Sequence, residues 1–107
     1  MQGATVMVRS QQAEKNVPKG VELRKRAGAW LQERRKKAGL SQIQLAERLG
    51  LKYYTFISQI ENGFSRVPSE SMETWAHALG IPPSEFARQL VAFYEPELHK
   101  LLFEVKA

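Results

Sequence analysis

Residues 40–63 decide the fold, and their sequence is LSQIQLAERLGLKYYTFISQIENG. The segment predicts two short helices joined by a turn. Ser41 is a good N-cap for the first helix, and Gly50 stands where a helix C-terminus favours a residue that accepts a positive φ. Residues 53–61 predict the second helix. Its apolar residues are Phe56, Ile57 and Ile60.

Two helices of this length are typical of one recognition motif. Helices of about eight to ten residues, joined by a turn of about four, form a helix-turn-helix, and the second helix can lie in the DNA major groove. The segment therefore predicts contact with double-stranded DNA.

Helical periodicity continues on both sides of this segment, so the fold class is all-α. Gly28 weakens the preceding helix by about 1 kcal/mol relative to Ala and allows that helix to begin only after it. Residues 1–20 show no helical period and predict a flexible arm. The predicted helices outside the segment span 22–38, 69–79, 83–94 and 96–105. The predicted domains are the arm at 1–20, a DNA-binding domain at 21–94 and a C-terminal helical extension at 95–107.

The net charge of +5 is unevenly distributed. Residues 1–40 hold ten Lys and Arg against three Glu, whereas residues 41–107 hold six against eight. A basic front half indicates a polyanionic partner such as nucleic acid. A solvated charged helix face explains the same pattern without any partner, so charge alone does not decide the function.

Several classes of function lack their residues in this chain. The 107 residues include no Cys and no Asp, and no glycine-rich phosphate loop is present. His77 and His99 stand apart from each other and form no metal-ligand pattern. No apolar run has the length of a membrane span. We therefore expect a cytoplasmic protein that is not an enzyme, uses no cofactor or metal and does not enter a membrane.

Four short motifs occur in a characteristic order: LSQ at 40–42, LAERLG at 45–50, ISQIENG at 57–63 and AHALGI at 76–81. With them, residues 27–90 resemble the Cro/cI-like helix-turn-helix family, the xenobiotic-response-element class of bacterial and phage regulators. The resemblance implies a compact repressor-like bundle of five helices. It also implies operator binding as a dimer, often in repression.

The chain has one residue more between Gly50 and Gly63 than the commonest family pattern, and the extra residue falls within 51–53. Matched from the C-terminal side, the resemblance places base contacts at Tyr54, Thr55 and Gln59. Matched from the N-terminal side, the first two shift by one position. Gln can bond an adenine edge through both of its amide atoms.

The resemblance also implies contacts that fix the position of the protein on DNA. Gln42, at a helix N-terminus, is expected to contact phosphate. The positions of Arg35 and Glu61 are paired in the family as a partly buried salt bridge, which predicts that Arg35 orients the second helix rather than binding phosphate. The remaining candidates for backbone contact are Lys52, Tyr53, Ser65, Arg66, Arg34 and Lys37.

The C-terminal segment is strongly apolar and predicts a dimer contact. A two-fold dimer would place its recognition helices about 34 Å apart and would require a palindromic operator. The favoured hypothesis is thus a homodimeric repressor. The alternative is an antitoxin that binds a toxin through the N-terminal arm or the C-terminal tail, and also binds its own promoter. An adaptor without DNA binding is a third, weaker hypothesis. The predicted dimer contacts are Phe93, Tyr94, Leu98, Leu101 and Leu102.

Overall fold

The computed structural model describes residues 19–105, and these residues form helices without any strand. A 3-10 turn at Ser69–Ser71 and a π-helical turn at Lys100–Glu104 accompany the α-helices. The all-α prediction is confirmed. The predicted arm falls on residues that lie, apart from its last two, outside the described range. The helices are α1 Lys19–Lys37, α2 Gln42–Arg48, α3 Thr55–Glu61, α4 Met72–Leu79, α5 Pro83–Tyr94 and α6 Pro96–His99.

The first helix runs without interruption through Gly28, as the predicted span of 22–38 requires, and the alternative start after this glycine does not occur. Gly28 is buried, and a Cβ at its position would lie only 2.7 Å from the carbonyl carbon of Glu61. The glycine therefore allows the backbones of α1 and α3 to approach each other. Its cost in helix propensity is offset by the packing that this approach makes possible.

The second helix begins with a capping box. Ser41 Oγ accepts a hydrogen bond from the Gln44 amide at 3.1 Å, and the Gln44 side-chain oxygen accepts one from the Ser41 amide at 2.8 Å. Gly50 then takes a φ of 72°, and the Leu51 amide donates to the Ala46 carbonyl at 2.8 Å, which closes the helix.

The turn of the motif is longer than predicted. It occupies residues 49–54, because α3 begins at Thr55 and not at Tyr53. Leu51 is partly buried against the core and thereby fixes the start of the turn. Lys52 and the two tyrosines are exposed and follow a non-helical path. The turn thus takes up six residues, and α3 is short, with seven residues.

The helices enclose one hydrophobic core to which α1 to α5 all contribute. Trp75 and Phe86 are its largest fully buried side chains. Trp30 is partly buried, and its ring packs against Phe86 and Phe93 with centroid separations of 5.8 and 6.1 Å. Each buried aliphatic or aromatic side chain contributes about 1.5–3 kcal/mol through removal from water. The core thereby holds α3 against α1 and α2.

Tyr94 is a core residue, which corrects its expected place at an exposed dimer contact. Its side chain is buried, and its hydroxyl accepts a hydrogen bond from the Val67 amide at 3.1 Å. Burial raises the pKa of the Tyr94 phenol above 10.0, while the bond from Val67 and the charge of Arg66 act in the opposite direction. The last residue of α5 therefore fastens the loop that follows α3.

Candidate DNA interface

The third helix presents a polar face to solvent and an apolar face to the core. Thr55 and Gln59 are four residues apart, so they share one side of the helix, and both are exposed. Ile57 and Ile60 are fully buried on the opposite side. Tyr54 is the N-cap residue and is also exposed. The three residues expected to contact bases thus lie together at the accessible side and the N-terminal end of α3.

A buried ion pair joins α1 to the end of α3. Arg35 Nε donates to Glu61 Oε2 at 2.7 Å, and Arg35 Nη2 donates to Glu61 Oε1 at 3.1 Å. The third guanidinium nitrogen, Nη1, donates to the Leu40 carbonyl at 2.8 Å. The two side chains are only 8% and 2% exposed. This bidentate geometry restricts both the position and the rotation of α3 relative to α1.

Gln42 belongs to the same network. Its side-chain amide donates to Glu61 Oε1 at 3.0 Å, so the glutamate carboxylate receives hydrogen bonds from both α1 and α2. The side-chain nitrogen of Gln42 is therefore engaged inside the protein. The Gln44 amide is taken by the Ser41 cap, so the backbone amides of Gln42 and Ile43 are the groups with which this helix start can meet a phosphate.

The C-terminal end of α3 is held by the backbone of α1. Gly63 has a φ of 83°, and a Cβ at this position would lie 2.9 Å from the Lys25 backbone. Arg24 Nε donates to the Gly63 carbonyl at 3.2 Å, and the Phe64 amide donates to the Gln59 carbonyl at 2.8 Å. The C-terminal end of α3 and the residue after Asn62 therefore approach α1 closely at two glycines, Gly28 and Gly63.

The residues of the turn form the edge of the surface next to the N-terminus of α3. Lys52 Nζ lies 5.5 Å from the centroid of the Tyr53 ring, which is a cation–π distance. A shallow groove in the surface is lined by Lys52, Tyr53, Tyr54 and Ile43, among other residues. The lysine and the phenols at this rim are suited to phosphate and sugar contacts.

The other predicted backbone contacts differ in their surroundings. Lys37 is exposed in the last turn of α1, and Ser65 is half-buried in the loop after α3. Arg34 Nη2 pairs with Glu33 at 3.0 Å, and its guanidinium lies 6.0 Å from the Trp30 ring. Since Trp30 packs against Phe86, Arg34 lies near the contact between α1 and α5.

Arg66 is paired within the protein. Its Nη1 donates to Glu95 Oε2 at 3.0 Å, and its guanidinium carbon lies 4.5 Å from the centroid of the Tyr94 ring. The side chain of Arg66 is 43% exposed, so part of the guanidinium faces solvent.

Sequence reasoning overlooked two exposed apolar side chains near α3. Ile43 belongs to the apolar pattern of α2 but is 58% exposed, and Phe64, directly after the motif, is 75% exposed. The position of each residue in the sequence could have indicated its exposure. Ile43 lies in the first turn of a short helix, and Phe64 follows a glycine that ends a helix. Apolar contact with a thymine methyl group is open to side chains of this kind.

Within residues 19–105, a further group of exposed apolar side chains lies on the C-terminal extension. Leu98, Leu101 and Leu102 are exposed on α6 and the π-helical turn, together with Phe103 and Val105. Phe93 differs from them because it is half-buried and packs on Trp30.

Within residues 19–105, no three or more His, Cys, Asp or Glu side chains are grouped as in a metal site. In the same part of the chain, no helix combines the length and apolar character required to cross a membrane.

A comparison with protein families supplies the remaining evidence. The helix-turn-helix family profile matches residues 31–86, which is more than half of the chain and covers every helix from the end of α1 to the start of α5. No curated protein matches the sequence. The extent of the family match, together with the geometry of α2 and α3, shows that the chain belongs to the Cro/cI-like helix-turn-helix family of DNA-binding transcriptional regulators.

Proposed function

We propose that this protein is a sequence-specific repressor that binds a palindromic operator as a homodimer. The observation that carries the proposal is the exposed polar side of α3, which the buried Arg35–Glu61 pair holds in a fixed orientation. A helix held in this way can enter a major groove without a large ordering cost on binding. Such a regulator acts beside its DNA, in a bacterial cytoplasm.

In this proposal Tyr54, Thr55 and Gln59 contact base edges. Gln59 offers a donor and an acceptor to one adenine, and Thr55 offers either a hydroxyl group or a methyl group. The proposed phosphate contacts come from the N-terminus of α2 and from both flanks of α3, and they set affinity and register without reading sequence. The residues proposed for phosphate contact are Gln42, Arg34, Lys37, Lys52, Tyr53, Ser65 and Arg66.

The test of sequence recognition starts with selection of bound duplexes from a random pool at physiological salt. We expect enrichment of a two-fold motif with half-sites about one helical turn apart. Recovery of no enriched motif, with only weak salt-sensitive binding, would contradict the repressor proposal.

Gln59→Ala is expected to weaken binding to the selected operator by about 1–3 kcal/mol and to relax the preference at one base pair. Its binding to unrelated duplexes is expected to stay unchanged, because Gln59 carries no charge. Fluorescence anisotropy with the operator and with single-base variants measures both effects. Gln89→Ala, on α5, is the matched control and should bind like the parent. Equal affinity of the Gln59 variant for all operator variants would remove Gln59 from the base contacts.

The proposed dimer contact is the exposed apolar surface of the C-terminal extension. It consists of Leu98, Leu101 and Leu102 with the neighbouring Phe93, whereas Tyr94 supports it from within the core. An apolar surface concentrated on the final turns of so small a domain is typical of an interface. A two-fold dimer through this surface would present two copies of α3 to one side of a DNA duplex.

The double variant Leu101→Glu/Leu102→Glu is expected to be monomeric, because two carboxylates in the interface would lose their hydration. Its affinity for a full palindrome should fall to that for a single half-site. Sedimentation velocity gives the mass, and Lys100→Glu in the same turn controls for added negative charge. A parent protein that is monomeric at operator-binding concentrations would exclude this dimer contact.

The same apolar surface favours a second candidate function, that of an antitoxin. A toxin bound to the C-terminal extension would cover the leucines that otherwise form the homodimer contact. A toxin-like reading frame beside the gene, and a stable complex on co-expression that Leu101→Glu/Leu102→Glu abolishes, would support the antitoxin.

A further inference from the structure

Arg66 and Glu95 meet where the DNA-binding half of the molecule joins the C-terminal extension. Arg66 lies in the loop after α3, and Glu95 is the non-helical residue between α5 and α6, with a φ of −137° and a ψ of 68°. Their ion pair spans 3.0 Å, and the two side chains are 43% and 48% exposed. No other hydrogen bond from the Arg66 guanidinium is formed within residues 19–105.

The backbone on either side of this pair is fixed. The residue after Arg66 donates its amide to the buried Tyr94 hydroxyl at 3.1 Å, and Tyr94 is also the residue before Glu95. The guanidinium stacks on the Tyr94 ring at 4.5 Å. The backbone next to Arg66 is therefore held beside Glu95, while the partly exposed guanidinium can turn about its own side-chain bonds.

We propose that Glu95 competes with DNA phosphate for Arg66 and so limits the affinity of the protein for DNA. This inference rests on the proposed function. In the free protein the carboxylate neutralises the guanidinium, so that Arg66 adds little to the attraction of the surface for a polyanion. On DNA binding the guanidinium turns towards a phosphate, and its pairing with Glu95 is lost or shared.

Charge and distance together support competition. A phosphate bonded to the free edge of the guanidinium would lie within a few ångströms of the Glu95 carboxylate, and two like charges at that separation repel. An arginine that already has an internal counterion also releases fewer ions from DNA when it binds. Removal of the Glu95 charge should therefore raise both the affinity and the salt dependence of binding.

If Glu95 instead positioned Arg66, removing its charge would change the DNA affinity in the opposite direction. If the carboxylate oriented Arg66 for phosphate contact, its removal would weaken binding and would reduce the effect of removing Arg66. The two roles can thus be separated by the direction of the change in a double-mutant cycle.

The probe is a fluorescein-labelled duplex of mixed sequence and about two helical turns in length, titrated at several salt concentrations. Glu95→Gln keeps a hydrogen-bond acceptor and removes the charge. We expect about two- to fivefold tighter binding, the range that an exposed ion pair allows. We also expect the slope of log K against log salt to steepen by about one unit.

The matched control is Glu97→Gln, which makes the same charge change two residues further on. Glu97 pairs only weakly with Lys19, at 3.6 Å, and both groups are highly exposed. The change in DNA affinity of Glu97→Gln measures the general gain in affinity from one additional unit of positive net charge. Thermal unfolding of both variants should match that of the parent, since both pairs are exposed.

Arg66→Ala completes the cycle. We expect it to weaken binding more in the Glu95→Gln background than in the parent background. A smaller loss in that background, or equal affinities for Glu95→Gln and Glu97→Gln, would overturn the competition. Absence of salt-sensitive binding by the parent protein would instead refute the proposed DNA-binding function itself.

Discussion

Glu61→Ala is expected to lower the free energy of unfolding by about 3–5 kcal/mol, the usual cost of leaving one member of a buried ion pair without its partner. Arg35 would keep only its bond to the Leu40 carbonyl. The total free energy of unfolding of a small domain is about 5–15 kcal/mol, so this loss is a large share of it. Urea unfolding at neutral pH, followed by circular dichroism, measures it.

The double variant Arg35→Met/Glu61→Leu distinguishes stability from orientation. Two apolar side chains fill the site without a buried charge, so the free energy of unfolding should recover most of the way to the parent value. Operator affinity should nevertheless stay reduced, because the bidentate contact that orients α3 is absent. A double variant that recovers both stability and operator binding would show that packing alone orients the recognition helix.

Gly28→Ala is expected to destabilise the protein by about 1–3 kcal/mol, the cost of inserting a methyl group into a closely packed contact. Elsewhere in a helix the same change stabilises by up to about 1 kcal/mol. Here the added Cβ would meet backbone atoms of α3, which cannot turn aside as a side chain can. We also expect weaker operator binding, since α3 must shift to make room.

Gly20→Ala is the matched control on the same helix. The nearest atom to a Cβ at that position is the tip of the flexible Arg24 side chain, at 3.3 Å. This variant should be neutral or slightly more stable than the parent in the same unfolding assay. Destabilisation of equal size by both changes would contradict the specific role assigned to Gly28.

The sequence predicted the helical fold because its signals are local. Ser41, Gly50 and Pro83 each act on the turn of helix next to them, and the predicted boundaries near them agree with the structure. The helices predicted over 69–79 and 83–94 correspond to the 3-10 turn with α4 and to α5. Contact with DNA was predicted from the length and spacing of two helices, whereas the contacting residues were assigned from motif order, which depends on resemblance rather than on physical derivation.

The features that the sequence did not predict depend on distant parts of the chain. Gly28 weakens a helix by propensity, and only its contact with α3 explains why the helix continues. Tyr94 is one of several apolar residues near the C-terminus, but it alone among the predicted dimer contacts is buried, and its hydroxyl accepts a hydrogen bond from the distant Val67 amide. The pairing of Arg66 with Glu95 joins residues far apart in sequence. No local pattern reports such contacts.

The short recognition helix has a consequence for the DNA as well as for the protein. With seven residues, α3 is too short to be stable alone, and it is held by glycine contacts at one end and a buried ion pair beside them. A recognition surface fixed in this way has little freedom to adjust to an imperfect site. Adjustment then falls to the duplex, whose bending and twisting differ in energy from one sequence to another. The stiffness of base pairs that the protein never touches would thus contribute to the choice of operator.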